Sequence, residues 1–159
     1  MAKYFGNPHA DNDYSRSCRK AISKAEQQVR ESINAGKDVK IIWTSGGTEC
    51  INSIFFGLDW QTGDEVIISS LEHPATVNPL NKIAEMYGVV IKKLPVDKTG
   101  RFSLESFKEL LNEKTKLVSI MSIQNEIGVI NDLEGIRQVL DAENSQAYFH
   151  TDNVQGFGK

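Results

Sequence analysis

Short runs rich in Val, Ile and Leu alternate with helix-period segments along the chain, and this alternation restricts the fold more than any other feature of the sequence. The apolar runs occupy residues 39–43, 64–69, 89–96, 116–123 and 147–150. Each is short and rich in Val, Ile or Leu, and reads as a buried strand. Helical patterns lie between them at 49–58, at 75–87 closed by Gly88, at 104–112 behind a Ser103 cap, and at 133–143. Ahead of the first run, Cys18, Ile22, Ala25, Val29 and Ile33 recur at helical spacing, and Gly36 stands where a left-handed C-terminal residue would be useful. The expectation is an α/β fold with alternating strands and helices and a mainly parallel sheet. Its crossovers are right-handed and its ligands collect at the carboxyl ends of the strands.

Composition removes several classes of function. A net charge of −3, with 25% charged and 40% hydrophobic residues, is that of an ordinary globular protein and offers no basic surface for nucleic acid. No stretch approaches the roughly 20 apolar residues that span a bilayer, and Met1-Ala2-Lys3-Tyr4 leads into Gly6-Asn7-Pro8 without a signal-peptide core. A cytoplasmic chain without a membrane partner is expected. Cys18 and Cys50 form neither a CxxC pair nor a disulfide framework, which fits a reducing compartment. Cys18 reads as a small buried thiol. Cys50, at the start of a helix, reads as a packing residue or as a thiol with a lowered pKa.

Polar residues suited to chemistry follow the strands. Ser45-Gly46-Gly47-Thr48 joins a strand to a helix and offers backbone N–H groups, two hydroxyls and a positive dipole end, a pattern suited to phosphate. The same glycine pair also suits a simple tight turn. GxxxxGK[ST] and GxGxxG are both absent, which argues against a nucleoside triphosphate or a dinucleotide. His73, between Glu72 and Pro74, puts an imidazole at the same mouth, although a lone histidine also serves structural ends. Asn125 adds an amide after the fourth run, and Asp152 and Gln155 add a carboxylate and an amide after the fifth. No metal-ligand pattern is present in the candidate set.

Tyr4-Phe5-Gly6-Asn7-Pro8-His9, Thr44-Ser45-Gly46-Gly47-Thr48-Glu49, Glu72-His73-Pro74-Ala75, Leu117-Val118-Ser119-Ile120-Met121, Asn125-Glu126-Ile127-Gly128-Val129 and Phe149-His150-Thr151-Asp152 appear in that order, with Val154-Gln155 and Gly158-Lys159 behind them. This series resembles the signature blocks of the cysteine desulfurases, pyridoxal-phosphate enzymes of the class V aminotransferase group. The likeness implies that residues 1–159 are an incomplete cofactor-binding large domain, without the small C-terminal domain. It also implies roles for individual residues. Gly47 and Thr48 would hold the phosphate of pyridoxal 5'-phosphate, Asp152 would pair with the protonated ring nitrogen, and Gln155 and Asn125 would bond the side of the ring hydroxyl. His73 would lie against the ring and move a proton. His150 is expected to support the site from behind or to be structural.

The resemblance further implies that a parent enzyme would convert L-cysteine to L-alanine and pass on sulfur as a persulfide, as a homodimer serving an acceptor or scaffold protein in iron–sulfur or thio-cofactor assembly. Another class V enzyme, an aminotransferase or a selenocysteine lyase, would use the same contacts. A non-catalytic truncated paralogue acting as a binding module is the alternative from a different class. Gln124 and Asn153 depart from the family's common residues without removing a proposed contact. Lys159 does not match the Schiff-base lysine, and neither cysteine matches the persulfide-forming one, so no desulfurase activity is expected of these residues alone. The resemblance also places two further strands between residues 39–43 and the rest of the sheet. Without them, that strand is expected to lose its neighbours, and the chain is expected to be marginally stable and prone to associate.

Overall fold

The computed structural model describes residues 4–158, so Lys159 and the opening Met1-Ala2-Lys3 lie outside the described residues. The chain divides into two compact units, one up to Trp43 and one from Thr44 to Phe157.

The first unit is built on α1, Asp13–Ser32. Asn12 caps it by accepting the Ser15 amide at 3.0 Å. Cys18 is buried on its inner face, as its position in the apolar stripe predicts. The left-handed residue beyond its C-terminus is Asn34, at φ 51°, and not Gly36. Asparagine tolerates this conformation, so the chain turns two residues earlier than the glycine suggests.

Residues 39–43 form no strand, contrary to the sequence pattern. Ile42 is 79% exposed and Trp43 56%. An extended run becomes a strand only when a neighbouring edge takes up its backbone groups, and no such edge pairs with it among the described residues.

The second unit contains the sheet. Its strands are β1 (Glu65–Ser69), β2 (Val90–Leu94), β3 (Thr115–Ser119) and β4 (Tyr148–His150), all parallel, in the order β2-β1-β3-β4. The helices are α2 (Gly47–Phe56), α3 (Pro74–Tyr87), α4 (Leu104–Leu110) and α5 (Leu133–Ala142). The four strands and four helices lie where the alternation predicts them, with ends shifted by a few residues: α2 and α3 begin before the expected 49 and 75, and β3 stops at Ser119.

Strand pleating explains the core. Val66, Ile68 and Leu117 face one side, where they meet Ile51 and Phe55 of α2 and Leu80 and Ile83 of α3. Ile67 and Val118 face the other side, against Phe107 of α4 and Ile136 and Leu140 of α5. Both faces are therefore covered, which is why the central strands β1 and β3 bury consecutive residues, whereas the edge strand β2 carries Lys92 and Lys93. Gly88, at φ 72°, ends α3 in the left-handed conformation, and Ser103 caps α4 through the amides of Glu105 and Ser106.

The strand order carries the functional consequence. The chain leaves β1 for β2 on one side and later returns to place β3 on the other, so the β1/β3 boundary is a topological switch point. The crevice beyond the carboxyl ends of those strands is where such sheets bind ligands.

Candidate functional site

Three loops and one helix end meet at that crevice. The α2 N-terminus brings Gly47 and Thr48, the β1–α3 connection brings His73, the segment after β3 brings Met121, Ile123 and Asn125, and the segment after β4 brings Asp152, Val154 and Gln155. They line a cleft of about 250 Å³. Every site residue expected from the sequence, Gly47, Thr48, His73, Asn125, Asp152 and Gln155, is on its wall.

At α2, the first backbone bond closing the helix runs from Cys50 N–H to the Gly46 carbonyl at 3.1 Å. The amides of Gly47, Thr48 and Glu49 thus precede the helical ladder and form a donor group at the positive end of the dipole. Gly46, the N-cap residue, has no side chain to occupy them. A Cβ on Gly47 would meet Val154 Cγ2 at 3.2 Å, so the segment after β4 closes tightly over this turn. The Ser45 hydroxyl, a phosphate donor in the sequence reading, is engaged within the chain. It donates to Glu49 Oε2 at 2.6 Å, and the Ser45 amide donates to the same oxygen at 2.7 Å. The hydroxyl and amide hold the Glu49 carboxyl below its ordinary pKa, and the local anion already present is therefore a protein group.

His73 has a second duty as the N-cap of α3. Its Nδ1 accepts the Ala75 amide at 3.0 Å, which leaves the proton of the neutral ring on Nε2. The capping bond also fixes the imidazole's orientation. Asn125 sits in a loop organised by Gln124, whose Oε1 accepts the amides of Glu126 and Ile127 at 2.6 and 2.8 Å. Asp152 is half-buried. Its Oδ1 accepts the Val154 amide at 3.0 Å, while its carbonyl accepts the Ser122 amide at 2.9 Å. His150 is not among the residues lining the cleft; its Nδ1 lies 2.8 Å from Ser119 Oγ and its ring is edge-on to Phe55 at 5.1 Å. Burial pulls its pKa down, against the opposing charge of Asp152.

Sequence reasoning assigned no role to Glu72. The structure buries its carboxyl between the ends of β1 and β3: Oε1 accepts Ser69 Oγ–H at 2.8 Å and, from the cleft-wall residue Met121, the backbone amide at 2.9 Å. Burial pushes its pKa up to about 7 despite those two bonds, and the charge of Asp152 adds to the effect. Its place directly after a strand, beside His73, was the available signal.

The donor set suits an aromatic phosphate. Free helix amides and a threonine hydroxyl, a half-buried carboxylate fit for a cationic ring nitrogen, two side-chain amides and apolar Ile51, Ala75, Met121 and Ile123 share the cleft wall. The sequence matches the family Aminotransferase class-V over residues 1–159. The chain belongs to this family. It is 36% identical over 162 aligned positions to the "NifS/IcsS protein homolog" of Lactobacillus delbrueckii subsp. bulgaricus, covering 100% of this chain and 41% of that protein. Over 157 positions it is 38% identical to the "Putative cysteine desulfurase IscS 1" of Bacillus subtilis, covering 97% and 40%. A solved structure described as a "NIFS-LIKE PROTEIN" superposes with a TM-score of 0.87 at 28% identity, over 99% of this chain and 43% of that one. The family member described here thus spans about two fifths of the length of these relatives. Among the described residues no helix is long and apolar enough to cross a membrane, and no group of His, Cys, Asp and Glu is placed to hold a metal ion.

Proposed function

We propose that this chain is the incomplete cofactor-binding large domain of a cysteine desulfurase, whose whole polypeptide turns L-cysteine into L-alanine and hands on the sulfur as a persulfide. The carrying observation is the convergence of Gly47, Thr48, His73, Asn125, Asp152 and Gln155 on one cleft at the β1/β3 switch point. The names of its relatives support the same activity.

Bound pyridoxal 5'-phosphate supplies an electron-poor ring able to take up carbanion charge. The amides of Gly47 and Thr48, with the Thr48 hydroxyl, hold the phosphate at the α2 N-terminus. Asp152 keeps the ring nitrogen protonated, and Gln155 and Asn125 bond the side of the ring hydroxyl. His73, oriented by its capping bond to Ala75, presents Nε2 for proton transfer. A homodimer, a sulfur acceptor for iron–sulfur cluster assembly and a cytoplasmic setting complete the proposal.

Pyridoxamine phosphate tests the site, because it needs the phosphate and ring contacts and no lysine. Calorimetry on folded protein should show reversible binding, weakened by Asp152→Ala and Thr48→Ala. No binding at about 1 mM ligand would overturn the cofactor reading. The activity itself is tested on the full-length polypeptide loaded with the cofactor. L-Alanine and sulfide should form from L-cysteine, and transamination without sulfide release would place it elsewhere in class V.

A further inference from the structure

Glu72 is a buried titratable group that the proposed chemistry leaves unused. Its Oε1 joins two strands' ends, accepting from Ser69 of β1 and from the amide of Met121 beyond β3. Ser69 Oγ in turn accepts the Leu71 amide at 3.2 Å, so the carboxyl, the hydroxyl and the turn after β1 form one connected set. Its Oε2 is buried with no hydrogen-bond partner among the described residues. An ionised carboxylate with one bare buried oxygen is costly, whereas the neutral acid is far less so.

The surrounding groups favour the neutral form. Asp152, arriving from β4, is the charged group whose field acts on Glu72, and it opposes a second negative charge. His73, next in the chain, has Nδ1 committed to the Ala75 amide, and His150 on β4 has Nδ1 against Ser119 Oγ. From β3 and the residues just after it, Ser119, Ile120 and Met121 bring no charge. No cation forms an ion pair with Glu72 among the described residues.

We propose that Glu72 is a positioning residue: as a neutral acid it ties the end of β1 to the backbone beyond β3, holds the segment against which Asp152 is seated, and leaves the site's negative charge on Asp152. The seating is direct in the backbone, since Glu72 takes the Met121 amide and the Asp152 carbonyl takes the next one, Ser122. If the cleft is a cofactor site, as proposed above, a cationic ring nitrogen beside Asp152 cancels part of the field acting on Glu72. Ligand binding near neutral pH then releases part of a proton from it.

Carboxyl-carbon NMR of the ligand-free protein, labelled at Asp and Glu, tests the positioning role. One Glu signal should titrate near pH 7 and vanish in Glu72→Gln. The Asp152 signal, assigned with Asp152→Asn, should stay in place in Glu72→Gln, which keeps the acceptor for Ser69 and Met121, and should move in Glu72→Ala, which does not. A Glu72 signal in the ordinary carboxylate range overturns the proposal, as does an Asp152 signal displaced equally by both variants. If Glu72→Ala does not fold, the titration and the Glu72→Gln comparison decide alone. Calorimetry with pyridoxamine phosphate in two buffers of different ionisation heat supplies the second readout. Wild type should release more protons on binding than Glu72→Gln does, the difference being the part from Glu72, since protons exchanged by the ligand's own phosphate and ring nitrogen are common to both. Absence of binding by wild type would overturn the cofactor reading and leave the NMR result on Glu72 standing.

Discussion

Glu72 and Asp152 take successive amides of one backbone segment: Glu72 Oε1 accepts from Met121 N–H at 2.9 Å, and the Asp152 carbonyl accepts from Ser122 N–H at 2.9 Å. Residues 80 positions apart in the chain are thereby registered to one another through the end of β3. The consequence is electrostatic as well as geometric, because the Asp152 charge helps to keep Glu72 protonated.

The first prediction is a pH-dependent stability difference between wild type and Glu72→Gln. The folded-state pKa of Glu72, about 7, lies above its ordinary 4.5, so its favourable contribution is complete below about 4.5 and is lost as pH rises through about 7. His150 acts in the opposite sense. Burial lowers its pKa below 6.5, so folding is disfavoured as pH falls under that value. Raw wild-type stability therefore mixes the two, and the difference from Glu72→Gln isolates Glu72. Urea unfolding should show the variant gaining on wild type between pH 5 and 7, by at most roughly 3 kcal/mol. A constant difference across that range would contradict it.

Asp152→Ala should weaken pyridoxamine phosphate binding by about 1.5–3 kcal/mol, the usual worth of a hydrogen bond to a charged group. Thr48→Ala should cost less, about 0.5–1.5 kcal/mol, because the α2 amides remain. Calorimetric affinities measure both. Equal loss from an exposed substitution such as Lys82→Ala would show that binding is not at the cleft.

Phe55→Ala should destabilise the second unit by about 3–5 kcal/mol, since the ring is fully buried among Ile51, Leu80 and Leu117. It should also change the His150 titration, because that imidazole packs edge-on against the Phe55 ring at 5.1 Å. Histidine NMR and chemical denaturation provide the two readouts.

Gly88→Ala should cost about 1–2 kcal/mol. The residue holds φ 72°, which carries that penalty for an L side chain, and the added Cβ would meet Thr62 Cγ2 at 3.1 Å. Gly46→Ala, with nothing within 4 Å of the new carbon, should perturb unfolding less. Thermal melts of the two variants make the comparison.

What the sequence by itself determined is local. Apolar runs of strand length and helix-period segments located four strands and five helices, because side-chain burial imposes a period that each segment carries alone. Ser103 and Gly88 announced helix ends, since capping and left-handed turns depend on single residues. The ordered motifs also named the residues that line the cleft. Tertiary structure decided what depends on neighbours. Residues 39–43 carry strand chemistry yet form none, because strand formation requires an edge that supplies the missing hydrogen bonds. Ser45 looked like a phosphate donor until Glu49 folded back onto it. Glu72 had no role legible in the sequence. Only the order β2-β1-β3-β4 brings β1 beside β3, and the resulting burial, with Asp152 close by, turns a group that ionises freely in water into one that holds its proton near neutrality.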